Sequence, residues 1–230
     1  GPMVYDTTKE RTFELQNTGE FEFNFSLKQQ GAEGAANGPE LKLGRFTVVP
    51  QNGTIPSKGT ATLTVKFAAS SEARAESEIL IIDVADRDVN KEPEGVLYAL
   101  QAESCIPGIE TTDFVQIFEE QTVNRTVVLA AAGLPSNTFA EDEKLFTFGS
   151  HMVGQEVSER FKLTNPFKVP CTVGLGVSQR AAKGGGKDAP PQTEMPFDVE
   201  PKKIVIPPHE HRYVTCYFTP QAMQTYFATL

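Results

Sequence analysis

The strongest constraint on the fold is that the chain repeats itself. The pentapeptide "FELQN" from Phe13 matches "FKLTN" from Phe161, and in both copies a strand-like run ends at an Asn followed by a turn-forming residue. Further along, "FTVVPQNGTIPSKGTATLTVKF" from Phe46 aligns without a gap with "FDVEPKKIVIPPHEHRYVTCYF" from Phe197. One ordered pattern carried twice predicts two copies of one folding unit. The signature positions are Phe13, Asn17, Phe46, Pro50, Pro56 and Phe67 in the first copy, and Phe161, Asn165, Phe197, Pro201, Pro207 and Phe218 in the second.

Within each copy, apolar and polar residues alternate as they do in half-buried β-strands. The chain has 16 Phe, 18 Gly, 16 Pro and no Trp, a composition typical of short strands joined by tight connections. In the first copy we expect strands near residues 10–16, 21–28, 45–49, 60–68, 78–85 and 96–103, with turns at 17–19, 51–53 and 56–59.

Six or seven short antiparallel strands per copy predict an all-β protein made of two tandem immunoglobulin-like β-sandwiches. The predicted domains are residues 4–107 and 108–230, joined by a short hinge at "CIPGIE". Gly1-Pro2-Met3 resembles the remnant of a cleaved expression tag and is left out of the first domain. We expect the first domain to lack its opening strand and the second to lack its last strand. The second domain also carries two long connections, at residues 130–144 and 179–195, and the latter is predicted to be a disordered surface loop.

Three aromatic residues of the first copy are replaced by smaller apolar residues in the second. A catalytic or ligand-stacking aromatic residue would not tolerate that exchange, whereas the inward face of a strand needs only volume and hydrophobicity. We therefore predict that these positions form one layer of the core. They are Phe21, Phe23 and Phe25 in the first copy, and Val169, Cys171 and Val173 in the second.

The segment "FGSHMVGQEVSERFKLTNPFKVPCTV", followed by "FDVEPKKIVIPPHEHRYVTCYFTP", shows FG, F-x-L-x-N, F-x-V-x-P, I-P and F-x-P in that order. This order resembles the ASH domain, the ciliary and centrosomal branch of the major-sperm-protein-like (MSP-like) immunoglobulin folds. The tandem units are similar to those of the giant repeat proteins of motile cilia. The resemblance implies a structural scaffold without enzymatic activity in the central pair apparatus of the axoneme. Such a scaffold would mediate protein–protein interaction with other axonemal proteins, be required for cilium motility, and be located in the cytoplasm, cytoskeleton and cilium axoneme.

The charge balance narrows the choice of partners. Thirty acidic residues against 21 basic ones give a formal net charge of −9, which repels phosphate backbones and anionic lipid surfaces. No run approaches the roughly 20 apolar residues that span a bilayer. We therefore expect no nucleic acid and no membrane as partner. The same charge makes direct microtubule binding by this fragment an unfavourable interaction, because tubulin surfaces are acidic.

The segment "HEH" is the strongest candidate for a metal site. It places His209 and His211 on one face of a predicted strand, and two imidazoles could hold Zn²⁺ if Cys216 or His151 came close. The favoured alternative is that both are exposed polar residues at the start of a strand. We accordingly predict no metal-binding residue.

Catalytic and phosphate-binding motifs are incomplete. The segment "KGGGKD" would need Gly at Ala181 and a hydroxyl residue at Asp188 to match a phosphate-binding loop. None of the three His residues accompanies a nucleophile-elbow pattern. The sequence therefore predicts no catalytic residue, no cofactor-binding residue and no cofactor, and the protein is predicted not to be an enzyme.

Three cysteines, an odd number, favour a reducing compartment. Cys171 and Cys216 occupy apolar positions of the repeat and are predicted to be buried free thiols. The alternative is a disulfide between them across the sandwich. Cys105 adjoins the hinge and is predicted to be exposed.

Two other function classes remain open. An MSP-like receptor for short peptide motifs would need a basic groove for acidic peptides. A secreted adhesion or chaperone module of the sandwich type would carry glycans at Asn24, Asn52 or Asn124, or the Cys171–Cys216 disulfide.

Overall fold

A computed structural model describes residues 1–31, 38–85, 87, 90, 93–126, 136–179 and 195–230. The chain divides into two compact units, Gly1–Ile106 and Pro107–Leu230. Each unit is built almost entirely of β-strands, which confirms the predicted all-β class of two immunoglobulin-like sandwiches. Within the described ranges, no helix has the length and apolar character needed to cross a membrane.

The first unit is a sandwich of two sheets. One sheet has five strands in the order β1-β9-β8-β3-β6, and the other has four in the order β2-β7-β5-β4. Every neighbouring pair is antiparallel except β1 and β9. The strands are β1 (Pro2–Val4), β2 (Thr8–Gln16), β3 (Phe23–Gln29), β4 (Leu41–Leu43), β5 (Phe46–Val49), β6 (Asn52–Ile55), β7 (Thr60–Ala68), β8 (Arg74–Val84) and β9 (Val96–Cys105).

Aliphatic side chains from both sheets fill the core of the first unit. Leu63 of β7, Leu43 of β4, Ile55 of β6 and Leu80 of β8 are each fully buried. Burying a side chain of this kind contributes roughly 1.5–3 kcal/mol. The alternation along each strand delivers one such residue to the core at every second position, so the sequence pattern and the packing agree.

Two expectations for the first unit are wrong. Pro2 and Met3 are not outside the fold, because they lie in β1 and pair with Glu103 and Ser104 of β9. Phe21 is not a core residue, since its side chain is 84% exposed and it precedes β3 in the chain. Its backbone carbonyl oxygen, and not its ring, contacts the buried Asn17.

The predicted turn at 51–53 is also wrong, because Asn52 and Gly53 lie in β6. Gly53 faces Phe25 of β3 in the antiparallel ladder. A Cβ at Gly53 would lie 2.9 Å from Cε1 of Phe25. The glycine therefore serves close packing against the ring and not a turn. In the second unit, Val173 and Ile204 are paired at the matching positions.

The described residues of the second unit form a short helix and ten strands. The strands form the sheets β13-β18-β16 and β10-β11-β12 and the pairs β14-β17 and β15-β19. The helix begins after Asp113, whose carboxylate Oδ1 accepts a hydrogen bond from the backbone N of Gln116 at 3.0 Å. The elements are α1 (Phe114–Ile117), β10 (Thr122–Asn124), β11 (Thr138–Ala140), β12 (Leu145–Thr147), β13 (Val157–Thr164), β14 (Cys171–Gly174), β15 (Ser178–Gln179), β16 (Phe197–Glu200), β17 (Lys203–Ile206), β18 (His211–Phe218) and β19 (Ala228–Thr229).

The central ladder of the second unit repeats that of the first. Phe161 of β13 faces Val214 of β18, as Phe13 of β2 faces Leu63 of β7. The segment 130–144 is not only a connection, because part of it forms β11, and all three residues of β11 are buried. Within β11, Phe139 stacks on Phe118, with ring centroids 4.1 Å apart. Residues 127–135 and 180–194, and with them most of the predicted loop at 179–195, lie outside the described residues.

Candidate interaction surface

The signature Asn of the first unit is a buried clamp between two connections. Asn17 is 3% exposed, and its Nδ2 donates hydrogen bonds to the carbonyl oxygens of Phe21 at 2.7 Å and Pro56 at 3.0 Å. Its Oδ1 accepts from the backbone N of Gly19 at 2.9 Å. The backbone N of Asn17 donates to the carbonyl oxygen of Gly59 at 2.9 Å. One side chain thus satisfies buried backbone groups of both connections.

The second unit has the same clamp at Asn165. Its side chain is fully buried, and Nδ2 donates to the carbonyl oxygens of Val169 at 2.9 Å and Ile206 at 3.0 Å. Its Oδ1 accepts from the backbone N of Phe167 at 2.9 Å. Position 169 therefore has the same backbone role as Phe21 in the first unit, whatever its side chain does. The sequence contained a signal for this role, namely the same Asn at the same place in both copies, but the Asn was interpreted only as a strand end.

The signature Pro and Phe residues also take matching positions. Pro50 and Pro201 each follow a cis peptide bond at the end of a strand, a geometry that the sequence analysis did not predict. Pro56 and Pro207 each begin a turn closed by a hydrogen bond from the backbone N three residues later. The Phe residues divide by burial: Phe46, Phe67, Phe161 and Phe218 are buried, and Phe13 and Phe197 are half-buried.

The two histidines of "HEH" do not share a strand face. His209 lies in the turn before β18 with a φ of 58°, and only His211 begins the strand. Both side chains are exposed. His151 is elsewhere, with its Nε2 2.8 Å from the carbonyl oxygen of Phe148. Among the described residues, no group of three or more His, Cys, Asp or Glu side chains has the arrangement that could hold a metal ion.

All three cysteines are free and buried. The prediction that Cys105 is exposed is wrong. Cys105 is the last residue of β9 and pairs with Val4 of β1, and it is 7% exposed. Burial raises the pKa of Cys216 to about 11, and the nearby Asp198 carboxylate adds to this effect. A thiol with such a pKa is almost entirely protonated at neutral pH and is a weak nucleophile.

The second unit contains a wide aromatic groove. We define the aromatic groove by the side chains of Phe118, Phe146, Phe148, Phe161, Phe197 and Phe218, which line it together with Cys216 and the segment 222–230. Its volume is about 1220 Å³. Small-molecule sites usually enclose roughly 300–1,000 Å³, so the aromatic groove is large for a metabolite and suits a piece of polypeptide.

The rings of the aromatic groove form a continuous chain of contacts. Ring centroids lie 5.7 Å apart between Phe118 and Phe146, 5.1 Å between Phe146 and Phe148, and 5.6 Å between Phe148 and Phe218. Aromatic pairs at such distances contribute roughly 0.5–1.5 kcal/mol beyond area burial. The rings therefore hold one another in place although several of them are only half-buried.

Within the described residues, the sheet that contains β14 has fewer strands than its counterpart in the first unit. In the first unit, β3 pairs with β6 on one side and with residues Leu80–Val84 of β8 on the other. In the described part of the second unit, β14 pairs with β17 alone, and the only pairing further along is the two-residue contact of β15 with β19. Among the residues that the structure describes, β14 thus has a neighbouring strand on one edge.

A polar network covers the outer face of the β13-β18 ladder. Lys162 Nζ donates to Glu119 Oε2 at 2.7 Å, and the hydroxyl of Tyr213 donates to the other oxygen of Glu119. Arg160 pairs with Glu120, and its guanidinium carbon lies 4.4 Å from the centroid of the Tyr213 ring. These hydrogen bonds, first that from Lys162, hold the pKa of Glu119 below its ordinary value. Arg160 lowers the pKa of Glu120 in the same way.

Further basic side chains near this face also have acidic partners. Lys202 pairs with Asp198, and Arg212 pairs with Glu210 at 2.8 Å. The basic residues of the network are likewise paired with Glu119 and Glu120. Because each of these cations is matched by a carboxylate, this face does not offer the basic groove that recognition of acidic peptides requires.

Comparison with known proteins gives two curated relatives. The chain is 35% identical over 209 residues to the hydrocephalus-inducing protein of Mus musculus, a match that covers 88% of this chain. It is 35% identical over 190 residues to the hydrocephalus-inducing protein homolog of Homo sapiens, covering 80% of this chain. The chain spans 4% of the length of each of these relatives. No protein-family model matches the chain.

Solved structures with some similarity include two small β-domains. One is the ASH / PapD-like domain of human CEP192, which is 16% identical with a TM-score of 0.33, covering 46% of this chain and 81% of that chain. The other is SSP-19, an MSP-domain protein like family member of Caenorhabditis elegans, 14% identical with a TM-score of 0.28, covering 44% of this chain and 90% of that chain.

Proposed function

Because the chain belongs to the hydin-like family of tandem ASH domains, named after the hydrocephalus-inducing protein, we propose that it is a scaffold segment of a ciliary axoneme protein. In this role the segment binds other axonemal proteins in the central pair apparatus and is required for cilium motility. It works without enzymatic activity and without a cofactor, in the cytoplasm, cytoskeleton and cilium axoneme. The observation that carries the proposal is the 35% identity to the two relatives along most of the chain.

The geometry supports an interaction role more than a chemical one. Signature residues that both units share, such as Asn17 and Asn165, form hydrogen bonds with buried backbone groups. The most polar cluster, around Glu119 and Lys162, consists of paired charges at the surface. The aromatic groove is lined mainly by Phe side chains, whose only thiol, Cys216, has a raised pKa. Such a surface suits binding of another polypeptide.

The proposal is tested by locating the tagged full-length protein in a motile cilium. We expect it in the central apparatus, and removal of the region that corresponds to residues 4–230 should reduce the beat without removing the cilium. A protein found only outside the cilium, or secreted with glycans at Asn24, Asn52 or Asn124, would contradict the proposal and favour the adhesion alternative.

Microtubule binding gives a second, simpler test. With a formal net charge of −9, the fragment is repelled by acidic tubulin surfaces. We expect at most weak co-sedimentation with microtubules at physiological salt. Strong co-sedimentation would show that the segment contacts the microtubule directly and would contradict the proposal that its partners are other axonemal proteins.

A further inference from the structure

We propose that residues 108–113 are a fixed arm of the second unit, and that the freedom of the joint between the units is confined to Ile106 and Pro107. The predicted hinge, "CIPGIE" from Cys105, is thereby narrowed to two of its residues. We call residues 108–113 the entry arm. The inference goes beyond the proposed function and holds whichever partners the segment binds.

On one side of the joint, the first unit holds the chain as far as Cys105. This residue ends β9, is 7% exposed, and its carbonyl oxygen accepts a hydrogen bond from the backbone N of Tyr5 at 2.9 Å. The preceding residue, Ser104, is 1% exposed and pairs with Arg74 of β8. The last residues of β9 therefore belong firmly to the first sandwich.

On the other side, a backbone hydrogen bond attaches the entry arm to β13. The backbone N of Glu110 donates to the carbonyl oxygen of Thr164 at 2.9 Å. Thr164 is the last residue of β13 and pairs with His211 of β18, so the accepting carbonyl belongs to the central ladder of the second unit. An N–H that is bonded in this way exchanges with solvent only when the segment opens locally.

A close contact with an aromatic ring fixes the beginning of the entry arm. A Cβ at Gly108 would lie 2.8 Å from Cε2 of Phe167, so only a glycine lets the backbone pass this close to the ring. The backbone N of Phe167 is in turn bonded to Oδ1 of the buried Asn165 at 2.9 Å. The corresponding position of the first copy is Gly19, which has no ring to offer.

A carboxylate holds the end of the entry arm. Oε1 of Glu110 accepts hydrogen bonds from the backbone N of Thr112 at 2.7 Å, from its hydroxyl at 2.6 Å, and from the backbone N of Asp113 at 3.2 Å. These bonds, first that from the Thr112 hydroxyl, hold the pKa of Glu110 below its ordinary value. Directly after α1, Phe118 packs against Phe161 of β13 with ring centroids 5.2 Å apart. The chain is thus attached to the second unit at successive points.

Ile106 and Pro107 lie between these two sets of anchors. Neither belongs to a strand, and Ile106 is 48% exposed. The ring of a proline fixes its φ at about −65° and leaves it without an N–H. The residue before a proline is in addition biased towards extended conformations. Rotation is left mainly to φ of Ile106 and ψ of Pro107, so the joint is a short, restricted pivot and not a flexible linker.

Amide order parameters from backbone nitrogen NMR relaxation of the full chain test this division. We expect the amides of residues 108–113 to have values of about 0.85, like those of β13, and Ile106 to have a value below about 0.6. Low values throughout residues 108–113 would overturn the fixed arm. A value for Ile106 as high as those of β13 would overturn the pivot.

Two variants test what holds the arm. Phe167→Ala removes the ring beside Gly108, and Phe21→Ala removes an 84% exposed ring from the corresponding connection of the first unit. We expect Phe167→Ala to speed amide exchange of Glu110 by about tenfold or more and to lower the order parameters of residues 108–110, and Phe21→Ala to change neither. Residues 158–163 of β13 should be unaffected. Equal effects of the two variants, or equally faster exchange throughout β13, would overturn the role of the ring.

Gly108→Ala tests the same contact from its other partner. The added methyl group needs the space of the Phe167 ring, so this variant alone should also speed exchange of Glu110. Once Phe167→Ala has removed the ring, the methyl group has room, and the double variant should exchange no faster than Phe167→Ala. Multiplied effects in the double variant would contradict the contact. Because none of these measurements involves a partner, their outcome is independent of the axonemal role.

Discussion

The two units share the pairing of their central strands but differ in the side chains that fill their cores. Thirteen buried residues form the main core cluster of the first unit, and most of them are aliphatic. In the described part of the second unit, the corresponding cluster has three buried residues, Phe161, Val214 and Cys216, supported by half-buried rings. In the first unit, Leu80 and Ile82 of β8 close the core. In the described part of the second unit, aromatic rings form much of the cluster.

One pair of positions shows how the copies exchange volume. In the first unit a large ring, Phe25, faces Gly53, and in the second unit two branched residues of intermediate size, Val173 and Ile204, face each other. The two pairs contain the same number of side-chain carbon atoms, because those of the Phe ring residue equal those of Val and Ile together. Core positions of this kind follow volume and hydrophobicity more closely than identity, which explains why the repeat is easier to recognise from Phe46, Pro50 and their counterparts.

The largest expected effect contrasts Phe67→Ala with Phe218→Ala. Both rings occupy the same position of the repeat, but Phe67 lies in the core cluster beside Phe46 and aliphatic side chains, whereas Phe218 lines the aromatic groove. Phe67→Ala should lower the free energy of unfolding of the first unit by about 3–5 kcal/mol, because it leaves a closed cavity. Phe218→Ala should cost the second unit clearly less. Urea titrations of the full chain, followed by hydrogen exchange of peptides from each unit, measure both values. Equal losses would contradict the difference in closure.

The next effect tests what the units have in common. Asn17→Ala and Asn165→Ala each leave buried carbonyl oxygens and one backbone N–H without their partner. Each should destabilise its own unit by about 2–3 kcal/mol, and the two losses should agree within about 1 kcal/mol. The exposed, neighbouring Gln16→Ala serves as the control. If only one of the two Asn substitutions destabilised its unit, the Asn clamp would not be a shared structural feature of the two units.

A double substitution tests the exchange of volume. Gly53→Ile places a side chain into the space of the Phe25 ring, where even a Cβ would lie 2.9 Å from Cε1. It should destabilise the first unit by about 1–3 kcal/mol. Adding Phe25→Val recreates the Val–Ile pair of the second unit and should restore part of that loss. Additive losses in the double variant would contradict the equivalence of the two pairs.

The smallest expected effect is the dependence of the stability of the second unit on acidic pH. The pKa of Glu119 is lowered in the folded state, so its contribution is present above the ordinary carboxyl pKa of about 4.5 and is lost as the pH falls through the lowered value. Unfolding of the second unit should therefore become easier below about pH 4.5. Glu119→Gln should flatten this dependence, and Glu14→Gln on β2 should leave the acid dependence of the second unit unchanged. A profile that Glu119→Gln leaves unchanged would show that the network adds nothing to stability.

The repeat and its alternation were sufficient to predict the all-β class and most strands of the first unit. They failed where local signals had another use. Asn52-Gly53 looks like a turn, but the glycine accommodates the Phe25 ring. Phe21 continues the alternation by type, but only its backbone is used. Such cases depend on which residue lies across the ladder, and the sequence of one strand does not contain that information.

The aromatic groove could not have been predicted from the second copy alone. Its Phe residues come from separate segments that only the fold brings together. They lie at the end of α1, in and just after β12, and in β13, β16 and β18. The "HEH" segment failed as a candidate site because a turn separates its two histidines.

Hydrogen exchange of β3 and β14 in the full chain tests most directly that the two units share a ladder but differ in closure. β3 has a neighbouring strand on both edges, whereas β14 has one on a single edge in the part of the chain that the structure describes. Amides of residues 23–29 should exchange about a hundredfold more slowly than those of residues 171–177. Equal and strong protection of both strands in the isolated monomer would mean that the edge of β14 is already filled, and would contradict the account.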